Sequence, residues 1–322
     1  MALLLGTRRG LDATSSPRGT FAVLALDHRQ NLRKELHSED PTATTTDEMI
    51  EFKRTVVRSL ASIATGTLLD PEIGAAQCIA DGSLPGGAGL IVALEATGYE
   101  GEAGARVSRL LPGWDVARAK RLGASAAKLL VYYHPEAPNA ADQERLVAGL
   151  ADDCRAQDLA LFVEPLSFGL DGGALTGEDR RRVVIETARR MTALGGDVLK
   201  AEFPYDASVD DPARWTDACA ELDAASRLPW VLLSGGVDDA TFEAQVGVAC
   251  GAGASGVLVG RSVWAPAAAL ASADRATWLE TEGAARLRRL AELVERAGHP
   301  WRERWVAATQ PEAPEPGWYT RY

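Results

Sequence analysis

Read as a pattern of apolar and polar positions, the chain is a series of short, nearly unbroken apolar runs separated by stretches with helical spacing. The runs are FAVLALD (21–27), GTLLD (66–70), GLIVALE (89–95), AAKLLVYY (126–133), LALFVE (159–164), DVLKAEF (197–203), WVLLSGG (230–236) and SGVLVG (255–260). Runs of this length, rich in Val and Leu and bounded by Gly, Pro and Asp, read as strands buried on both faces. Segments such as 47–64, 177–195 and 239–253 lie between them, with apolar residues near a period of 3.6. The alternation implies parallel strands joined by crossover helices. Eight such units, with no dinucleotide-binding fingerprint, favour an α/β fold closed as a single (β/α)8 TIM barrel over a doubly wound sheet.

One domain spanning 1–322 is expected, since no linker and no repeat beyond the βα unit is visible. The longer stretch TGYEGEAGARVSRLLPGWD, between the third and fourth runs, reads as an active-site loop leading into a helix. From Glu280 onward, PWRERW and PGWYTRY predict a C-terminal extension, a helix plus an aromatic segment. It would pack on the barrel or on a neighbouring subunit, so a homo-oligomer is expected.

Charge and composition narrow the function. With 45 Asp and Glu against 34 Lys and Arg, the net charge of −11 argues against nucleic acid as a partner. No segment approaches a membrane span, and the opening MALLLGTRRG has too short an apolar run for a secretory signal, so a cytoplasmic protein is expected. Cys78, Cys154, Cys219 and Cys250 are scattered without a C-x-x-C pair and read as reduced core fillers. His28, His37, His134 and His299 lack metal-ligand spacing, so neither a metal nor another cofactor is expected.

Against this apolar background the charged residues inside the runs stand out. In GGDVLKAEFP (195–204), Lys200 sits mid-strand and alternation puts Glu202 and Val198 on its face. A buried amine is costly unless paired or neutralised, and one that loses its proton readily is a nucleophile; a plain strand-end ion pair is the other reading. Catalytic groups of such barrels gather at the carboxyl ends of the strands. Asp27, Asp70, Glu95, Lys128, Glu164, Lys200 and Ser234 fall there, with Arg261 just after the eighth run. Side chains inside these barrels layer by alternate strands, so Lys128 and Lys200 can approach with Glu164 between them, each lysine lowering the other's pKa. A free amine there would form an iminium with a sugar ketone, the electron sink for cleaving a carbon–carbon bond, with Glu164 taking the hydroxyl proton. Glu164 could equally be held in a salt bridge to Lys128.

LSGGV (233–237) and VGRSVW (259–264) follow the seventh and eighth strands, where this fold usually binds phosphate. Gly235, Gly236 and Gly260 would let backbone N–H groups approach an anion, with Ser234 and Arg261 adding a hydroxyl and a guanidinium. Asp27 would hydrogen-bond a substrate hydroxyl or cap the following helix, with Arg29 or Gln30 near a second anionic group. Asp70 and Glu95 would line the site or hold its loops, and His28 reads as a polar loop residue rather than a base.

With these pieces in place, FAVLALDHRQ, LLDPEIG, LEATGYEG, DVARAKRLGASAAKLLVYYHPE, FVEPL, DVLKAEFP, LPWVLLSGGV, GASGVLVGRSVW and HPWRERW together resemble the class I tagatose-1,6-bisphosphate aldolase family and its relatives, the sulfofructosephosphate aldolases. The likeness covers nearly the whole chain. It implies an eight-stranded barrel, a Schiff-base lysine at Lys200, an acid/base role for Glu164 aided by Lys128, a phosphate site at Ser234, Gly235, Gly236, Gly260 and Arg261, and substrate contact by Asp27. LLDPE and E-x-T-G-Y are similar to the tagatose branch, FVEPL and the spacing through LPWVLLSGGVDDATF to the sulfosugar branch. The expected activity is cleavage of a ketohexose bisphosphate such as tagatose 1,6-bisphosphate into dihydroxyacetone phosphate and glyceraldehyde 3-phosphate. The alternatives are the same cleavage of 6-deoxy-6-sulfofructose 1-phosphate to sulfolactaldehyde, a metal-dependent aldolase, and an idle barrel that only binds a sugar phosphate.

Overall fold

The eight apolar runs become eight strands in the structure, a computed structural model that describes residues 3–306 and 316–320. They are β1 Phe21–Leu26, β2 Gly66–Leu69, β3 Gly89–Ala93, β4 Ala126–Tyr132, β5 Ala160–Leu166, β6 Val198–Ala201, β7 Trp230–Leu233 and β8 Gly256–Val259. Each pairs in parallel with the next, and β1 pairs with β8, so the sheet closes with no free edge. Helices separate the strands, as the spacing requires. Among the described residues no helix is long and apolar enough to cross a membrane.

Two-sided burial explains the continuous runs. Phe21, Val23 and Ala25 of β1, with Leu68, Ile91, Ala126, Phe162, Val198, Val231 and Leu258, form the interior cluster. Their neighbours in sequence, among them Leu24, Leu69, Val92, Leu129, Val163 and Leu199, belong to a second cluster between sheet and helices. Alternation therefore decides which residues of each strand see the barrel axis.

The two ends of the barrel differ. At the amino ends of the strands the helix Leu5–Thr14 lies so close that a Cβ on Gly10 would fall 2.0 Å from the Ser125 carbonyl oxygen. Leu11 of that helix and Trp301 join the interior cluster, and Trp301 Nε1 donates to Ser15 Oγ at 3.2 Å. The PWRERW segment, a helix at Trp301–Val306, thus packs on the barrel as a plug after the long helix Ala284–Ala297. The described part of the aromatic segment is a turn at Trp318–Thr320 with Tyr319 exposed; residues 307–315 and 321–322 of the expected extension lie outside the described residues.

At the carboxyl ends several strands stop before their apolar runs do. Asp27, Asp70 and Glu202 come directly after the β1, β2 and β6 ladders and Glu95 two residues after β3; Asp27 and Glu95 turn to Lys128 of β4, whereas Asp70 and Glu202 bond loop residues. The loop after β3 folds into a short antiparallel excursion through the pairs Glu95–Leu110 and Glu100–Val107. It then enters the helix Val116–Leu122, whose first turn is capped by Asp115.

Candidate active site

The inward rows that make the interior apolar turn polar one step further along. Two residues beyond Ala126 comes Lys128, beyond Phe162 Glu164, beyond Val198 Lys200, and beyond Ala25 Asp27. These four converge at the mouth. Lys128 Nζ lies 2.7 Å from each of Asp27 Oδ2, Glu95 Oε1 and Glu164 Oε2, and Lys200 Nζ lies 2.7 Å from Glu164 Oε1. Glu164 therefore stands between the two lysines. Its Oε2 is buried and, being off the hydrogen-bond direction from Lys128, has no hydrogen-bond partner. Lys200 is 5% exposed.

The two lysines differ in surroundings. Burial alone would push the Lys128 ammonium down, but the charges of Asp27, Glu164 and Glu95 outweigh it and hold its pKa well above the ordinary lysine value. The expected mutual lowering by the two lysines thus fails at Lys128: three carboxylates surround it. Asp27 is buried, yet Lys128, Lys200 and His28 hold its carboxyl well below the usual range. It does not cap the following helix, Gln30–Leu36, whose N-terminus has no side-chain cap. Glu95 also accepts from the Leu130 N–H at 3.0 Å, so it both reaches the site and fixes β4.

Glu202 lines the same cavity as Lys200, as alternation predicts, but takes other partners. Its carboxylate accepts from the N–H and hydroxyl of Ser167 and pairs with Arg180 at 3.1 Å, because β6 ends at Ala201. Asp70 touches neither Lys128 nor Lys200; one oxygen accepts from the N–H groups of Glu72 and Ile73 and so holds its own loop.

These groups open on a cavity of about 410 Å3, within the size range of small-ligand sites. Its wall includes Ser234, Gly235, Gly260 and Arg261 after β7 and β8, Arg29 and Gln30 after β1, Thr97 and Gly98 after β3, and Tyr132 and Leu166 at the ends of β4 and β5. Gly235 and Gly236 have φ of +58° and +84°, a left-handed turn that favours glycine. Gly236 faces the neighbouring cavity and packs on the Arg261 guanidinium rather than lining the main one. A Cβ on Gly260 would lie 3.0 Å from both the Ala25 carbonyl oxygen and His28 Cε1. The helix Arg261–Ala268 starts there, with first N–H groups that need acceptors. Among the described residues Arg261 has a loose ionic contact with Glu35 at 3.8 Å, whereas Arg29 pairs with Glu72 and donates to the Glu95 carbonyl at 2.9 Å.

Sequence reasoning undervalued two residues. His28 is in the cavity wall, edge-on to Trp264, with Nδ1 3.8 Å from Asp27; burial, with Arg261 and Lys200 nearby, pushes its pKa down to about 4. Lys53 was overlooked. It lies on the core face of the helix Thr46–Leu60 beside Phe52, Val56 and Val57, and a lysine at such a position was the available signal.

By architecture the molecule stands with solved aldolase barrels. It aligns with a Schiff-base-forming fructose-1,6-bisphosphate aldolase at TM-score 0.59 and 23% identity, covering 90% of this chain and 99% of that one. The fructose-bisphosphate aldolase of Plasmodium falciparum aligns at TM-score 0.69 and 11% identity, covering 93% and 98%. In sequence, residues 21–266 match the family model described as DeoC/LacD family aldolase, and the chain belongs to that family of carbon–carbon lyases. Tagatose 1,6-diphosphate aldolase of Lactococcus lactis subsp. lactis is 29% identical over 94% of this chain and 100% of that protein. Tagatose 1,6-diphosphate aldolase 2 of Enterococcus faecalis is 30% identical over 94% and 97%.

Proposed function

We propose that the chain is a Schiff-base aldolase that cleaves a ketohexose 1,6-bisphosphate, tagatose 1,6-bisphosphate being the lead substrate, into dihydroxyacetone phosphate and glyceraldehyde 3-phosphate. The observation that carries this reading is Glu164 between two buried lysines, one oxygen 2.7 Å from Lys200 Nζ and the other 2.7 Å from Lys128 Nζ. Lys200 is the nucleophile because it shares one carboxylate, while Lys128 is fixed as a cation by three.

In the proposed reaction Lys200 passes a proton to Glu164 and its Nζ adds to the C2 ketone, an amine proton moving to the former ketone oxygen; Glu164 returns its proton to the carbinolamine hydroxyl, which leaves as water and gives a protonated imine. Glu164 then takes the proton of the C4 hydroxyl as the C3–C4 bond breaks, the aldehyde departs, and the bonding pair moves into the imine as an enamine. Protonation at C3 and hydrolysis release dihydroxyacetone phosphate and free Lys200. Lys128 supplies a fixed cation where oxyanions develop, and Asp27 holds a substrate hydroxyl. The C1 phosphate sits against Ser234, Gly235, Gly260 and Arg261, with Gly236 backing the guanidinium, and the distal phosphate reaches Arg29 and Gln30. This route uses only amine and carboxylate chemistry.

The whole chain acts as one barrel unit in this reading, as a cytoplasmic homo-oligomer. Its four buried free cysteines suit a reducing compartment. Borohydride added with tagatose 1,6-bisphosphate is expected to inactivate the enzyme and add a reduced triose phosphate to Lys200, and Lys200→Met to abolish turnover while leaving the fold intact. Label on another residue, or turnover lost in EDTA, would overturn the reading. Parallel assays with fructose 1,6-bisphosphate and 6-deoxy-6-sulfofructose 1-phosphate rank the substrates.

A further inference from the structure

One buried cation takes no part in the chemistry proposed above. Lys53 leaves the outer helix Thr46–Leu60 and ends at the carboxyl ends of β1 and β2; it and Asp70 are 0% exposed. Its ammonium pairs with Asp70 and donates to the carbonyl of Leu26, the last residue of β1, at 2.9 Å. The next residue is Asp27. The other Asp70 oxygen accepts from the Glu72 and Ile73 N–H groups at 3.0 and 2.9 Å, Glu72 pairs with Arg29, and Arg29 donates to the Glu95 carbonyl. The cavity loop after β1 and the loop after β2 behind it thus hang from a single ion pair.

Stability is a weak reason for such a pair. Removing two charges from water is expensive, and well-packed apolar residues often serve as well in the same volume. Aliphatic side chains, however, supply no directed bonds. Lys53 makes one to each loop base, and the chain packs tightly around the acceptor: a Cβ on Gly74 would fall 2.8 Å from Asp70 Oδ2.

We propose that Lys53 is a positioning residue which, through the Leu26 carbonyl and Asp70, sets where Asp27 and Arg29 meet the substrate. What those two groups do there rests on the aldolase reading; that Lys53 holds them does not. The test is the double variant Lys53→Met/Asp70→Asn, which removes both charges but leaves an amide oxygen for Glu72 and Ile73. Amide hydrogen exchange is expected to accelerate about 10-fold or more at 27–31 and 71–75 while the rest of the barrel keeps its protection. kcat should fall about 10- to 100-fold, as misplacement of reacting groups does, with inhibition by inorganic phosphate at the Arg261 end unchanged. Lys53→Gln, which keeps a donor for Leu26, should disturb 71–75 more than 27–31. Unchanged exchange in both loops, or a uniform rise over the whole barrel, would overturn the proposal. Wild-type protein that cleaves no ketose bisphosphate would defeat the aldolase reading instead, leaving the exchange data to decide the role of Lys53.

Discussion

A lysine among three carboxylates and a lysine sharing one are different reagents, although both are buried at the same mouth. Three anions at 2.7 Å keep Lys128 charged at any working pH, so it serves as a fixed field and a donor. Lys200 can be freed by one proton transfer. It follows that Lys128→Met should lower kcat by roughly 10²- to 10⁴-fold, and that borohydride should still trap substrate on Lys200 in the variant. Because the variant takes the lysine partner from Asp27 and Glu95 and leaves Glu164 only Lys200, it should also lose about 3–5 kcal/mol in urea unfolding. Trapping lost together with turnover in a folded Lys128→Met protein would make Lys128 the nucleophile.

Elements were legible where burial is two-sided. Parallel strands covered on both faces must be apolar throughout, so all eight appear as runs, and alternation from Ala126, Phe162 and Val198 carried Lys128, Glu164 and Lys200 to one layer. The ends were less legible, because whether a residue stays in a ladder depends on partners far along the chain. Glu202 obeys alternation on paper but bonds Ser167 and Arg180, and Asp70 bonds Lys53. Helical periodicity counts a lysine as polar, which hid Lys53 on an apolar face. Nothing local marks Trp301 as a plug either, since its neighbours Leu11, Phe21 and Val231 come from three distant elements. Its role has a measurable size: Trp301→Ala should cost about 3–5 kcal/mol, read as a lower urea midpoint, while kcat of the remaining folded enzyme changes little. A near-neutral midpoint would mean that the helix Leu5–Thr14 seals that end alone.

For the molecule as a whole, the pH dependence of stability has one contributor of unusual sign. Burial pushes Asp197, at the start of β6, up to about 7, against the opposing pull of the Leu161 N–H and Arg155. An unfolded aspartate titrates near pH 4, so between about pH 4 and 7 the folded protein binds a proton that the unfolded chain releases. Stability from this group is therefore highest in acid and declines as pH rises through that window. Asp197→Asn keeps the acceptor for Leu161 and removes the titration. Its stability relative to wild type should rise by roughly 2–4 kcal/mol from pH 4 to pH 8, measured as paired urea curves. A flat difference would refute the buried-acid assignment.

The plug at the amino ends of the strands also bears on how the molecule comes into being. Its interior is stoppered by a helix from the beginning of the chain and by a tryptophan some 290 residues later, numbers 11 and 301 meeting in one cluster. During synthesis the strands can all be present while that floor is still open. Only when Trp301 has left the ribosome can the last apolar surface be covered, so a protein stalled a few residues short would carry the mouth of the site on a barrel whose floor is half laid.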